Sequence, residues 1–278
     1  MRAEGWLSLI CYGFGLLALL AAAPAALAAD DVIFQDGASH QFDGVCLNLV
    51  VENNALYEPT RVEMVSPALA TYAWVCDTSE LTVSGGSIQG PLRAYHSSQV
   101  TVSDGSIGDL LAYESSQVTV SGGSIGGDLL AHESSQVTVS GGSIDGILWA
   151  QGGSQVTVSG GSIDEHLLAD NSSQVTVSGG TIGGIMDIFS TLTVVGSDFI
   201  IDGHPVGVGT YTRIDERDPL GGVLSGTFPG GEAFTNHFFI YGDGQLVLTP
   251  EPATLSLLAL GGLGLIARRR RLPPADGG

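Results

Sequence analysis

The stretch SSQVTVSGGSIGGDLLAHESSQVTVSGGSI, residues 115–144, begins and ends with the same eleven residues. Its Val-Thr-Val phrase returns at nearly constant spacing along the chain, with Leu replacing the first Val in two copies. The intervals between successive copies are 19, 18, 19, 19, 19 and 17 residues. A fixed interval of this kind is typical of solenoid proteins. The copies begin at Leu81, Val100, Val118, Val137, Val156, Val175 and Leu192.

One repeat contains three short segments in which apolar and polar side chains alternate, separated by Gly-Gly pairs and by a polar corner. Alternation with a period of two is the pattern of a strand with one buried face. Glycine lets the chain turn tightly, because it has no Cβ. The inward side chains of one repeat are then Val118, Val120, Ile125, Leu129 and Ala131.

This pattern predicts an all-β fold, a parallel β-helix of about seven coils over residues 80–199. Equivalent residues of successive coils stack about 4.8 Å apart, which aligns the threonines and glutamines of the repeat in outer ladders. Residues 29–79 and 200–249 lack the repeat, and we expect them to form N-terminal and C-terminal caps. A β-propeller or β-sandwich is the alternative fold, but its repeat would be about twice as long.

The first 28 residues have the layout of a secretory signal peptide. Arg2 precedes an apolar run, and Ala26 and Ala28 form a small-residue cleavage site that places the cut before Ala29. We therefore expect an exported protein. An uncleaved membrane anchor is the alternative.

Two cysteines, Cys46 and Cys76, follow the signal peptide. An even pair in an exported chain favours a disulfide. Two buried free thiols are the alternative.

The body of the chain is strongly acidic. Residues 29–249 contain 26 of the 29 acidic residues against four arginines, a formal charge of −22, and the chain has no lysine. Such a body repels phosphate backbones, so nucleic-acid binding is excluded. No histidine or cysteine spacing indicates a metal, and we expect no cofactor.

The third segment of each repeat predicts a surface stripe. Because its inward pair reads Leu-x-Ala, the residue between them faces outward, and so does the residue after the pair. A stacked apolar stripe beside tyrosines is typical of a contact site for a sugar chain or a protein partner. The alternative is that a cap or the N-terminal region covers it. The predicted stripe consists of Arg93, Leu111, Leu130, Trp149, Leu168, Tyr95 and Tyr113.

Catalysis by carboxylates is the competing hypothesis, since many β-helices resemble polysaccharide lyases and hydrolases. Glu114 and Glu133 should stack on one corner near Asp170, while Asp109, Asp128 and Asp145 lie on other turns. Each of these acids occupies a position where a solvated turn residue is expected. No coil departs from the repeat to gather an acid, a base and a cation, as an active site would. We therefore expect no enzymatic activity.

The C-terminus carries three signals in order: Pro250-Glu251-Pro252, an apolar stretch over 253–267, and an arginine cluster. This arrangement predicts a short transmembrane helix with the cluster in the cytoplasm. A permanent single-pass anchor is one interpretation. The cluster consists of Arg268, Arg269, Arg270 and Arg271.

Residues 250–274 also resemble the PEP-CTERM sorting signal. The resemblance implies a bacterial membrane protease, exosortase, as partner, and transient anchoring in the inner membrane. It further implies removal of the tail near Pro250-Glu251-Pro252, then residence at the cell surface or outside the cell. Proteins with this signal are associated with exopolysaccharide and biofilm. The sequence thus predicts a structural or adhesive surface protein, with a carbohydrate-active β-helix enzyme as alternative.

Overall fold

The structure is a computed structural model that describes residues 30–54, 56, 58–212 and 220–251. Within these residues it consists of 26 strands and contains no helix. The signal peptide with its cleavage site, the arginine cluster, Pro252 and the apolar stretch that follows lie outside the described residues. The described part of the chain has no helix long and apolar enough to cross a membrane.

The strands wind into a parallel β-solenoid of about eight turns, which confirms the predicted fold class. Three parallel sheets run along its length, and each of the eight complete coils contributes to all three. The first sheet contains the Val-Thr-Val strands, all paired in parallel with the equivalent strand of the next coil. Its strands are β2 (Ser39–Phe42), β4 (Arg61–Met64), β6 (Glu80–Ile88), β8 (Gln99–Ile107), β10 (Gln117–Val120), β13 (Gln136–Val139), β16 (Gln155–Ile163), β18 (Gln174–Ile182), β20 (Thr191–Val195) and β26 (Gln245–Thr249).

The third sheet contains the Leu-x-Ala strands and is also parallel throughout. Its strands are β1 (Val32–Phe34), β3 (Val45–Val51), β5 (Leu69–Val75), β7 (Leu92–Ala94), β9 (Leu110–Ala112), β12 (Leu129–Ala131), β15 (Leu148–Ala150), β17 (Leu167–Ala169), β19 (Ile185–Ile188) and β25 (Ala233–Ile240). The second sheet is made of β11 (Ser124–Ile125), β14 (Ser143–Ile144), the starts of β3 and β5, and the ends of β6, β8, β16 and β18.

The core is a continuous column of the inward aliphatic side chains that the alternation predicts. Val118, Val120, Ile125, Leu129 and Ala131 are each at most 2% exposed. The register puts like residues of successive coils against one another, so Val118 of β10 lies opposite Val137 of β13. Five inward positions per coil are therefore enough to exclude water from the interior.

The solenoid extends beyond the sequence repeat at its N-terminal end, into the residues 29–79 that were expected to form a cap. Strand β4 lies in register between β2 and β6, and its inward Val62 and Met64 are buried. The parallel stacking requires only alternating inward apolar residues, not identical coils. The sequence repeat begins at residue 80, but the solenoid begins before it.

The C-terminal region combines a last coil with a cap. β25 and β26 continue the third and first sheets, although 54 residues separate Leu192 from its partner Leu246. The intervening strands are antiparallel: β24 (Leu220–Thr227) runs along the free edge of β25, and β23 (Gly209–Thr212) runs along the free edge of β26. Asn236 Nδ2 donates to the carbonyl of Ile182 at the end of β18, 2.6 Å away. The cap strands are β21 (Ser197–Ile201), β22 (His204–Pro205), β23 (Gly209–Thr212) and β24 (Leu220–Thr227).

The corner glycines provide a test of the stacked architecture. Gly142 has a φ of +78°, and a Cβ there would lie 2.8 Å from the carbonyl oxygens of Gly122 and Gly123 in the coil below. We expect Gly142→Ala to lower the free energy of unfolding by about 1–3 kcal/mol, because the left-handed backbone and the contact with the preceding coil both disfavour a Cβ. Urea denaturation followed by circular dichroism measures this change.

Gly126→Ala is the matched control, since a Cβ there would approach nothing closer than the Ile107 oxygen at 3.8 Å. This variant should change the free energy of unfolding by less than about 0.5 kcal/mol. Equal losses in the two variants would contradict the predicted contact between coils.

Candidate functional site

The outward face of the third sheet carries two columns of side chains, which we call the third-sheet stripe. The inner column is formed by the middle outward residue of each strand. Backbone register places each of its members opposite the next, and their side chains are half-buried by their neighbours. The column runs Trp74, Arg93, Leu111, Leu130, Trp149, Leu168, Asp187 and Phe239.

The outer column is formed by the residues that follow the third-sheet strands. Their amides continue the ladder; for example, the N–H of Tyr113 donates to the oxygen of Ala94 at 2.9 Å. The rings of Tyr95 and Tyr113 stack with centroids 5.1 Å apart and planes 9° apart, and His132 follows at 5.8 Å from Tyr113. The outer column runs Tyr95, Tyr113, His132, Gln151, Asp170, Phe189 and Tyr241.

The structure therefore brings all seven predicted stripe residues onto one face, and it extends that face at both ends. At the N-terminal end Trp74 was not predicted; its ring lies 6.0 Å from the Arg93 guanidinium carbon, within range of a cation–π contact. Tyr72 packs beside it at 5.8 Å between centroids. The signal was present in the sequence, because Trp74 precedes Arg93 by the repeat interval of 19 residues.

At the C-terminal end the stripe changes from aliphatic to aromatic and polar. Phe189 is 44% exposed, and its ring stacks on Tyr241 at 4.3 Å with planes 8° apart. Asp187 occupies the inner column between Leu168 and Phe239, and its carboxylate lies 3.1 Å from His166 Nδ1. Burial, together with the neighbouring Asp187 carboxylate, raises the pKa of Tyr241. A polar pair thus sits beside an exposed aromatic surface.

The carboxylates proposed for catalysis lie at the corner beside the outer column. Glu114 and Glu133 occupy equivalent left-handed positions, with φ of 57° and 59°. Glu114 Oε2 accepts from the backbone N–H of His96 at 3.0 Å, so it braces the coil below. Glu133 Oε1 lies 3.8 Å from Nδ1 of its neighbour His132. Glu114 is thus engaged with the coil below, whereas Glu133 only lies near the imidazole of its neighbour.

Three of the remaining acids also support the backbone. Asp109 Oδ1 accepts from the N–H of Asp128 at 3.1 Å, and Asp128 Oδ1 accepts from the N–H of Ile147 at 2.9 Å. Asp170 Oδ1 accepts from the N–H of the following residue at 2.7 Å. Asp145 lies on the turn after β14. Within the described ranges, no three His, Cys, Asp or Glu side chains converge in a way that could hold a metal ion.

The predicted sorting triplet begins where the solenoid ends. β26 finishes at Thr249, and Pro250 then lines a shallow cleft of the cap together with Phe199, Val206 and Val208. Glu251 is the last described residue. A cut after this point therefore removes none of the strands that the structure describes.

Residues 248–271 match the PEP-CTERM protein-sorting motif. The chain carries an exosortase sorting signal. No curated protein and no solved structure matches the chain significantly. The PEP-CTERM motif indicates that the protein is exported and processed by exosortase, a membrane protein, through a membrane-anchored intermediate. The match covers the tail only, so the solenoid itself has to be interpreted from its geometry.

The predicted disulfide is not formed, and this expectation is corrected. Cys46 and Cys76 are not bonded to each other, and both are buried, at 1% exposure each. Cys46 lies opposite Ala70 in the second sheet, whereas Cys76 follows Val75 at the end of a third-sheet strand. The two thiols therefore belong to different sheets of neighbouring coils, which sequence spacing could not reveal.

Burial makes Cys46 a poor nucleophile. Loss of solvent, reinforced by the charge of Asp31, raises its pKa to about 11. We expect a thiol reagent at pH 8 to leave Cys46 unmodified in the folded protein and to modify it fully in urea, because the thiolate is the reactive form. Peptide mass spectrometry of the labelled protein measures this, and rapid labelling under native conditions would contradict the buried position.

Proposed function

We propose that the protein is a non-catalytic structural element of the cell surface or extracellular matrix that contacts polysaccharide through the third-sheet stripe. The observation that carries this proposal is the unbroken register of the stripe, which aligns mainly aromatic and aliphatic side chains from Trp74 to Phe239. A rigid row of half-buried rings suits an extended, repetitive partner better than a compact one. The apolar faces of pyranose rings can pack on such aromatic surfaces.

The negative charge of the body limits which class of polysaccharide can bind to it. With −22 over residues 29–249, the solenoid repels polyanions, and a cation is needed before an acidic polysaccharide can approach. Within the described residues, Arg61 and Arg93 are the two arginines, and only Arg93 belongs to the stripe. A neutral polysaccharide avoids this repulsion and is therefore the proposed class of partner.

The absence of catalysis is part of the same proposal. A hydrolase or lyase needs acid and base groups free to exchange protons with substrate. Glu114 instead braces the amide of His96, and Asp109 and Asp128 each hold an amide of the next coil. These bonds support a structural role for the carboxylates that sequence alone offered as catalytic candidates.

The sorting route is tested by the intact mass of the protein recovered from its native cells. We expect a C-terminus near Pro250-Glu251-Pro252, because exosortase should remove the tail at its motif. A variant with alanine at all three positions should keep the tail and remain with the membrane fraction. A wild-type chain that still ends at Gly278 would contradict processing and make the tail a permanent anchor.

The stripe is tested by co-sedimentation with microcrystalline cellulose and with matrix polysaccharide from the producing cells. Trp149→Ala should weaken binding about fivefold, since one aromatic contact contributes about 1 kcal/mol. Thr138→Ala, an outward residue of the first sheet, is the control and should bind like wild type. Unchanged binding by Trp149→Ala would remove the stripe as the contact surface, provided that both variants unfold at the wild-type temperature.

The same samples test for catalysis. Incubation with the protein should release no reducing ends from either polysaccharide. Release that Glu114→Gln and Glu133→Gln abolish would overturn the non-catalytic proposal in favour of the carbohydrate-active alternative.

A further inference from the structure

The N-terminal end of the solenoid is open, in contrast to the rest of the core. Val32 and Phe34 of β1 lie opposite Leu49 and Val51 of β3 and occupy the same inward positions. Leu49 and Val51 are fully buried, whereas Val32 and Phe34 are only partly buried. The apolar column therefore reaches the surface at this end.

The backbone of β1 is open on the same side. The oxygens of Asp30 and Phe34 accept from amides of the next coil, those of Leu47 and Glu52. Groups of alternate residues point to opposite sides of a strand, so the N–H and C=O of Ile33 point away from the solenoid. Among the described residues, no strand lies on that side of β1. An edge of this kind is a ready template for another strand.

Exposed apolar side chains are concentrated around this edge. Ile33 is 53% exposed, Val45 61% and Leu47 45%. The opposite end differs, because antiparallel strands β23 and β24 cover the terminal coil there. One end of the solenoid is thus capped, and the other presents an apolar surface with a free strand edge.

We propose that this end binds the same end of a second copy of the chain. A two-fold axis beside the free edge of β1, perpendicular to the solenoid axis, places β1 antiparallel to its copy, so that the Ile33 backbone groups of each copy find partners. The same axis sets the first sheet of one copy against the second sheet of the other. Because the contact uses the same end of both copies, it closes as a dimer and does not extend into a filament.

A second copy fits this end better than a segment of the same chain. The predicted cleavage before Ala29 leaves a single residue ahead of Asp30, too little to cover the coil. The edge is also self-complementary, and the partner is always present at equal concentration. The resulting dimer is a rod of about twice the length, with the C-terminal cap of one copy at each outer end.

Repulsion between carboxylates opposes this contact. The dependence of dimerisation on salt concentration therefore provides a second measurement. Asp30, Asp36 and Asp43 lie near the open end, and a two-fold contact brings their copies close. His40 bonds Asp36 at 2.8 Å and lowers the pKa of its carboxyl group, which favours the charged form of Asp36. Association should therefore strengthen as salt screens the repulsion.

Sedimentation velocity of the exported protein, with its termini defined by mass, tests the proposal across a wide concentration range. Wild type should sediment as a dimer, more completely at high than at low ionic strength. Ile33→Lys should be monomeric, because it places a charge in the contact. Ile33→Pro should also be monomeric, because it removes the N–H at the free edge; proline is tolerated on edge strands, so the fold should persist.

Val208→Lys is the matched control, since Val208 is 58% exposed but lies in the C-terminal cap. It should dimerise like wild type, and all variants should keep the wild-type circular dichroism spectrum. Monomeric wild type at every concentration and salt would overturn the proposal. So would dissociation by Val208→Lys, or assemblies larger than a dimer that grow with concentration.

Discussion

The parallel hydrogen-bond ladder between successive coils is the interaction on which the rest of the structure depends. A single coil buries about five apolar side chains, too few to offset the entropy of ordering some nineteen residues. Stacking lets each coil share its hydrogen bonds and its buried faces with two neighbours, as in other solenoids. The register of Val118 with Val137, and of Leu129 with Leu148, is therefore the condition for folding at all.

The same register restricts the corners. Because coils stack so closely, a Cβ at Gly142 would meet the carbonyls of the coil below, and the corner serines face the interior with no exposed surface. The hydroxyls of Ser116 and Ser135 find no hydrogen-bond partner within the described residues. Serine is tolerated there because it is small, and alternation along the strand continues into the corner.

The register also creates the candidate site. Once strands align residue for residue, every outward position becomes a column, and a weak preference for aromatic or aliphatic residues becomes a continuous surface. The columns of Leu130 and Tyr113 arise in this way, without any loop or cavity that departs from the repeat. Carboxylates such as Glu114 and Asp128 are drawn into backbone hydrogen bonds at the corners. Function on this scaffold is therefore a property of rows rather than of single residues.

The sequence alone determined the coil, its inward residues and the seven stripe positions, because the period of about 19 residues and the alternation within it can both be read from contiguous residues. It also contained the sorting motif, which a short contiguous signal specifies completely. Only the tertiary structure decided where the solenoid ends. Val62 and Leu246 join the stack through pairing with distant strands. Parallel pairing requires inward side chains of compatible shape, not identical residues in successive coils. For the same reason only the fold could separate Cys46 from Cys76 and leave β1 with a free edge.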